Sequence, residues 1–295
     1  MKYPTADCSH TTMASAAKIF TALTKHAGSG SSYMYRYVPE ALVAPSEGVA
    51  LNYKDLLEQV TNLSQGLIAE GFGPNTSIAA SFPNVSANVT LQLACAITGT
   101  SFVTCKDPND LSDTSTTFNC HGTTSQDFSW LLKSAGKNTS TALKNICIAT
   151  EESQYAFYNG SAKETTIDGL VSLASMTAAH FNMHDKDTIV VPVSLNHTMG
   201  MAFGVLPGLL SGGAVVLPSP TPDPERVVQA LREQQATLLI ADTHLVAKVN
   251  ELGANETFHA FRGGLVKVGS GEAISTEEVR EVLNVKMDTV GVVKK

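Results

Sequence analysis

Between Lys54 and Glu70, the residues Leu56, Leu57, Val60, Leu63, Leu67 and Ile68 recur at three- and four-residue spacing, which predicts an amphipathic helix that stops at Gly71. After Thr188 the pattern changes. No Asp, Glu, Lys or Arg occurs from Thr188 to Pro222, and Met199 to Pro218 alone has the length of a bilayer-crossing helix. The segment contains Gly200, Gly204, Pro207, Gly208, Gly212 and Gly213 and ends in P-S-P-T-P. Strand (Ile189 to Val193), loop, buried helix (about Met199 to Leu210) and strand (Ala214 to Leu217) account for it better than a span, because central parallel strands are continuous apolar runs. Asp223 then caps a helix that begins at Pro224 and carries Val227, Val228 and Leu231 on one face. Thr237 to Ala241 is a buried strand, followed by a helix from about Thr243 to Leu252. Ser275 and Glu278 predict a capping box for a last helix reaching Leu283, and Met287 to Val293 a last strand. Short strands alternating with helices predict an α/β fold, a parallel sheet flanked by helices.

Two stretches fall outside this rhythm. Lys106 to about Asp127 is polar and turn-rich, as in a surface loop. Met1 to about Pro39 is rich in Ser, Thr, Ala and Lys with Asp7 as its one acidic residue, a composition that resembles a mitochondrial transit peptide although no arginine precedes Arg36. The chain therefore divides into an amino-terminal extension (1–40) suited to being fixed by a partner, and a domain over 41–295 with subdomains at about 41–185 and 186–295.

Composition narrows the functional classes. A chain of 295 residues, 43% hydrophobic and 16% charged, can bury a large core and leaves much surface uncharged, as in a protein buried against partners. A net charge of −7 without a basic run argues against nucleic-acid binding. The five cysteines (Cys8, Cys95, Cys105, Cys120, Cys147) form no C-x-x-C pair, so a disulfide framework or structural zinc site is disfavoured and a reducing compartment fits. Cys95 reads as a small core residue. N-x-S/T triplets, including those at Asn75, Asn84, Asn138 and Asn196, are expected by chance in so Asn-, Ser- and Thr-rich a chain.

The candidate chemistry centres on Y-N-G-S-A-K-E-T-T-I-D-G-L, Tyr158 to Leu170. Upstream of it lie L-N-Y-K-D-L-L-E-Q-V-T-N-L-S-Q-G-L-I-A-E-G-F-G-P-N (Leu51 to Asn75) and S-F-P-N-V-S-A-N-V-T-L-Q-L-A-C-A-I-T-G-T (Ser81 to Thr100). Downstream come V-P-V-S-L-N-H-T-M-G-M (Val191 to Met201), G-G-A-V-V-L-P (Gly212 to Pro218), D-P-E-R-V-V-Q-A-L (Asp223 to Leu231) and G-S-G-E-A-I-S (Gly269 to Ser275). In this order, from Leu51 to Gly291, these segments resemble the adenylate-forming superfamily, which includes acyl-CoA synthetases and luciferases. The resemblance implies the fold of that family's large amino-terminal domain, without the small carboxy-terminal domain.

The family's phosphate loop has the form S/T-S/T-G-S/T-T-G-x-P-K-G, in which small residues let backbone N–H groups approach a triphosphate and a lysine balances its charge. Set against it, Gly160 and Ser161 match, Ala162 replaces a threonine and Lys163 a glycine. Thr165, Thr166 and Ile167 stand for the proline, the lysine and the last glycine. Lys163 would crowd a phosphate where close backbone approach needs glycine, so the segment also reads as a plain surface turn. In the family a Y-G-x-T-E motif follows the strand that here ends in Val293, and a glutamate for magnesium and ATP, an aspartate for ribose and a mobile domain with a catalytic lysine lie beyond it. The resemblance places His197 beside an acyl pocket and Gly269, Ser270 and Gly271 against adenine. A histidine satisfied by backbone and a tight strand-to-helix turn account for the same residues. His180 and His184, four apart, lack the further ligands a metal site requires.

Three functions fit these readings. The first is a catalytically inactive acyl-CoA-synthetase-like protein, without cofactor, metal or transmembrane span. It would act as a structural subunit of a larger mitochondrial assembly, with a cytoplasmic location as the alternative. The second is a module that binds acyl-CoA, AMP or a fatty acid in a vestigial pocket. The third is an acid–thiol ligase completed by a separate chain.

Overall fold

The apolar run after Thr188 folds as strands buried on both faces. A computed structural model describes residues 15–29, 40–74, 76–104, 118–121, 154–158, 162–268 and 281–291. A seven-stranded sheet has the order β14-β11-β10-β8-β9-β1-β2. Its strands are β1 (Glu40–Ala44), β2 (Val49–Asn52), β8 (Thr188–Val190), β9 (Ala214–Val216), β10 (Leu238–Asp242), β11 (Gly263–Val268) and β14 (Asp288–Gly291). All neighbours are parallel except the β1–β2 hairpin. Side chains alternate between two cores: Ile189, Val215, Leu238 and Ile240 enter one, and Val190, Val216, Leu239 and Ala241 the other. Period-two alternation with both faces buried is why Ile189–Val190, Val215–Val216 and Leu238–Ala241 are continuously apolar.

A second, five-stranded sheet has the order β5-β3-β4-β6-β7, formed by β3 (Ser77–Ser81), β4 (Ser101–Thr104), β5 (Phe118–His121), β6 (Gln154–Tyr158) and β7 (Ala162–Thr166). It is parallel except for the β6–β7 hairpin. Four helices, α1 (Ser15–Ser29), α2 (Tyr53–Ala69), α3 (Ser86–Thr98) and α4 (Ile167–His180), contribute to the core that joins the two sheets. On the far face of the seven-stranded sheet lie α7 (Pro224–Glu233) and α8 (Thr243–Gly253).

Local chemistry fixes the helix starts. Asn52 accepts the Asp55 N–H at 2.9 Å, Asp223 accepts those of Glu225 and Arg226 at 3.0 and 3.2 Å, and Asp242 accepts that of Leu245 at 2.9 Å. For α3 the acceptor comes from outside the helix: Glu47 takes the Ser86 N–H and hydroxyl, both at 2.8 Å. The segment that matches a bilayer span in length is α5 (Thr198–Gly200), a π-helical turn (Met201–Val205) and α6 (Leu206–Ser211) in succession. Its glycines allow close packing on strands. A Cβ on Gly204 would lie 2.7 Å from Val191 Cγ1, and one on Gly208 2.7 Å from Val215 Cγ2. Among the described residues no helix is long and apolar enough to cross a membrane.

Two sequence expectations change. The predicted last helix does not reach Leu283: Glu281–Val282 (β12) pairs with Val285–Lys286 (β13), and the two-residue turn between them has positive φ at Leu283 (53°) and Asn284 (64°). Such a turn matches the twist of a short hairpin, and the Leu283 N–H is held by Asn250 Oδ1 at 2.8 Å. The proposed capping residues Ser275 and Glu278 lie outside the described residues. Within the acid-poor amino-terminal stretch, 15–29 forms α1, which buries Ala16, Ile19 and Leu23 against the body of the protein.

One buried carboxylate ties the starts of three central strands together. Asp187, its side chain 1% exposed, accepts Arg262 Nε at 3.1 Å, Arg262 Nη2 at 2.9 Å, the Thr237 hydroxyl at 2.7 Å and the His184 N–H at 2.9 Å. Burial pushes the carboxyl up, but these donors and the guanidinium charge outweigh it and hold Asp187 below its usual value. Its contribution is therefore present above the unfolded carboxylate value, about 3.9, and lost as pH falls through the lower folded value. Asp187→Ala should cost about 2 kcal/mol, below the ~3–5 of a fully buried pair because Arg262 is 37% exposed. It should also flatten the acid limb of a stability-versus-pH curve measured by urea unfolding. An unchanged acid limb would contradict this assignment.

Candidate functional site

The polar residues of α3 lock the segment that carries His197. Asn84, Asn88 and Gln92 are spaced four apart, so they stack along one side of the helix and the turn before it. Asn84 Nδ2 donates to Val193 O at 2.9 Å while its Oδ1 accepts the Leu195 N–H at 2.9 Å. Gln92 Nε2 donates to Leu195 O at 3.0 Å and to Asn88 Oδ1 at 3.0 Å. Asn88 Nδ2 reaches Asn196 Oδ1 at 3.0 Å, and Asn196 Nδ2 donates to Phe82 O at 2.6 Å. The Thr104 hydroxyl, at the end of β4, closes the set with a 3.2 Å bond to Asn196 O. All three amide residues of this ladder are buried, where an unpaired polar group is costly, so residues 192–197 are held in one conformation.

His197 stands at the end of this locked segment. Its Nδ1 accepts the Met199 N–H at 3.1 Å, capping α5, and the residue is half-buried. A Cβ at Gly200 would collide with the Ser194 carbonyl, so the helix start presses directly on the segment. The geometry presents an imidazole from a rigid turn at the carboxy-terminal ends of β3, β4 and β8, where open α/β sheets bind ligands.

The other candidates are placed separately. Lys163 lies in β7 with its backbone opposite Phe157, and the register pairs Tyr158 with Ala162. The connection between those paired ends is thus three residues, Asn159, Gly160 and Ser161, of which Gly160 and Ser161 are the two that match the family's loop. Thr166 caps α4 by accepting the Gly169 N–H at 3.0 Å, and Ile167 is 1% exposed in the core. Both positions equated with the phosphate loop's lysine and last glycine therefore have structural tasks. Gly160 and Ser161, and Gly269, Ser270 and Gly271, lie outside the described residues.

His180 and His184 are not brought together. His180 closes α4 with its Nε2 2.7 Å from Asp288 Oδ2, whereas His184 lies beyond the helix end beside Asp187. Among the described residues no three His, Cys, Asp or Glu side chains form a group able to hold a metal ion. The sequence carries a signal for the ladder: three amides at four-residue spacing within a stretch that has no charged residue. The N-x-S/T triplets at Asn84 and Asn196 coincide with side chains engaged in it.

Residues 164–293 match a family model described as AMP-binding enzyme. No curated protein matches the chain by sequence. Among solved structures, the inhibitor-bound amino-terminal domain of FACL13 from Mycobacterium tuberculosis superposes with a TM-score of 0.70 at 14% identity, covering 93% of this chain and 75% of that one. MatB from Rhodopseudomonas palustris gives 0.68 at 14% identity over 92% of this chain and 58% of that one. The o-succinylbenzoate CoA synthetase MenE from Bacillus subtilis, in complex with its acyl-adenylate intermediate, gives 0.64 at 14% identity over 84% and 53%. The chain has the adenylate-forming fold, as found in the amino-terminal domain of acyl-CoA ligases.

Replacing Asn88 with Ala removes one hydrogen-bonding partner each from Gln92 and Asn196 inside the core. The expected loss is about 1–3 kcal/mol, seen as a lower urea midpoint at unchanged m-value. A midpoint equal to wild type would show that the amide ladder does not hold the His197 segment.

Proposed function

From this adenylate-forming fold, we propose that the chain is a catalytically inactive acyl-CoA-synthetase-like protein that serves as an accessory subunit of a larger, mitochondrial assembly. The observation that carries the proposal is the structural use of Thr166 and Ile167, the positions equated with the phosphate loop's lysine and last glycine. Adenylation rests on positioning a triphosphate and stabilising charge that develops at phosphorus. Thr166 accepts the Gly169 N–H as the cap of α4 and Ile167 is buried in the core, so neither position supplies the charge or the close backbone approach that a triphosphate needs. The low charged fraction favours surfaces buried by partners, and the acid-poor amino-terminal composition favours mitochondrial import with α1 retained in the fold.

A second reading, a binding module for acyl-CoA, AMP or a fatty acid, is favoured by the ladder that keeps the His197 segment preorganised.

Acid-dependent exchange between ATP and pyrophosphate tests the inactive reading. No exchange above a no-enzyme control is expected with medium- and long-chain fatty acids, and turnover with any acid would overturn it. Thermal unfolding with acyl-CoA, AMP or palmitate then separates the two readings. A binding module at a hundredfold excess over Kd gains about 2.7 kcal/mol and several degrees in Tm, whereas a pure scaffold gains nothing.

A further inference from the structure

Beside the end of α7 an open cleft of about 170 Å³ gathers polar groups that the chain itself does not use. Leu231, which is buried, and Phe258, half-buried, form its floor, and the exposed Arg232, Gln235, Thr257 and His259 form its rim. These residues precede β10 or β11, so the cleft lies at the opposite end of the sheet from the His197 segment. Along α7 the surface side chains satisfy one another: Arg226 Nη1 donates to Gln229 Oε1 at 2.9 Å, and Gln229 Nε2 to Glu233 Oε1 at 3.0 Å. Around the cleft they do not. Among the described residues, the side chains of Gln235, Thr257 and His259 make no hydrogen bond, and Arg232 engages through Nη1 alone, which donates to both Glu256 oxygens at 3.2 Å. The Nε–Nη2 edge of the guanidinium is left open. Gln235 has φ +46° in the turn that ends α7, where the Ala236 N–H closes on Leu231 O at 3.1 Å. Glycine is the residue such a helix-ending turn favours, and glutamine there sets an amide on the rim at a conformational cost.

We propose that this cleft is a binding site for a small organic acid, whose carboxylate pairs with the open edge of Arg232 while its apolar body covers Leu231 and Phe258. The planar guanidinium edge presents two N–H groups at the spacing of two carboxylate oxygens, a match that favours a carboxylate over a neutral group of the same shape. The Gln235 amide, the Thr257 hydroxyl and the His259 ring supply further polar contacts around that pair. At roughly 15 Å³ for each water-sized occupant, the cleft takes a ligand of about ten non-hydrogen atoms, well short of a nucleotide or an acyl-CoA. The site therefore differs from the vestigial pocket in both place and ligand. Glu256 competes for the same guanidinium and repels the incoming anion, which keeps the affinity low and makes its removal informative.

Titration of the isotope-labelled full chain with benzoate at neutral pH, followed by amide NMR shifts, tests the proposal. Saturable shifts confined to residues 231–235 and 256–260 are expected, with a Kd in the millimolar range for so small a ligand. Benzamide, which has the same shape without the charge, should bind about tenfold more weakly, as should benzoate to Arg232→Gln. Glu256→Gln should tighten benzoate binding by about threefold. Gln235→Gly should weaken it by about threefold while leaving Tm equal to or above wild type, because glycine suits the positive φ. That last variant decides the matter if Arg232→Gln does not fold. Absence of saturable shifts at the cleft up to about 50 mM benzoate, equal binding of benzamide, or an affinity unchanged by Arg232→Gln or Gln235→Gly would overturn the proposal.

Discussion

The buried amide ladder from α3 to residues 192–197 joins the two sheets at the carboxy-terminal ends of β3, β4 and β8. The seven-stranded sheet and the five-stranded sheet share an apolar core, but apolar packing is non-directional and tolerates sliding. Asn84, Asn88 and Gln92 add direction, because each amide must find its carbonyl or N–H partner in one register or remain buried and unpaired. Asn196 and Thr104 extend the same network to the ends of β3 and β4. At the opposite ends of the strands, Asp187 performs the equivalent task for β8, β10 and β11.

Much of this architecture is legible in the order of residues. The runs around Ile189, Val215 and Leu239 read as strands buried on both faces, and Asp223 and Asn52 stand at helix starts as their side chains require. The glycine spacing at Gly204 and Gly208, which alone is equally compatible with a membrane helix, is resolved by the adjoining strands that those glycines touch. Less legible were features that depend on distant partners. Helix α1 has few strongly apolar residues, and its place rests on packing against α2, α3, α4 and α6 with Ile19 and Leu23 buried. The β12–β13 hairpin places Leu283 at positive φ, against the preference of leucine, with Asn250 as its anchor. Ala16, Ile19, Phe20, Leu23 and Ala27 do recur at helical spacing, whereas no local signal predicts the hairpin.

For the site, resemblance located His197 but not what holds it. The Tyr158 to Leu170 segment reads as a damaged phosphate loop when aligned by residue type, and as hairpin, cap and core when built. Thr166 and Ile167 serve the start of α4, so substitution toward the family pattern at those positions would remove a cap and a core side chain. On the proposed reading a scaffold outlasts its chemistry because folding constrains the ladder, the strands and the helix caps, while a nucleotide loop contributes little to stability. The proposed accessory role follows that division, with the retained parts serving shape.

The central claim is that the protein works as a subunit. Its most direct test is the native mass of the protein isolated gently from its source, with the co-purifying chains identified. A stoichiometric complex far above the 31.1 kDa of this chain is the expected result. A free monomer of 31.1 kDa would contradict the account and leave ligand binding as the function to pursue.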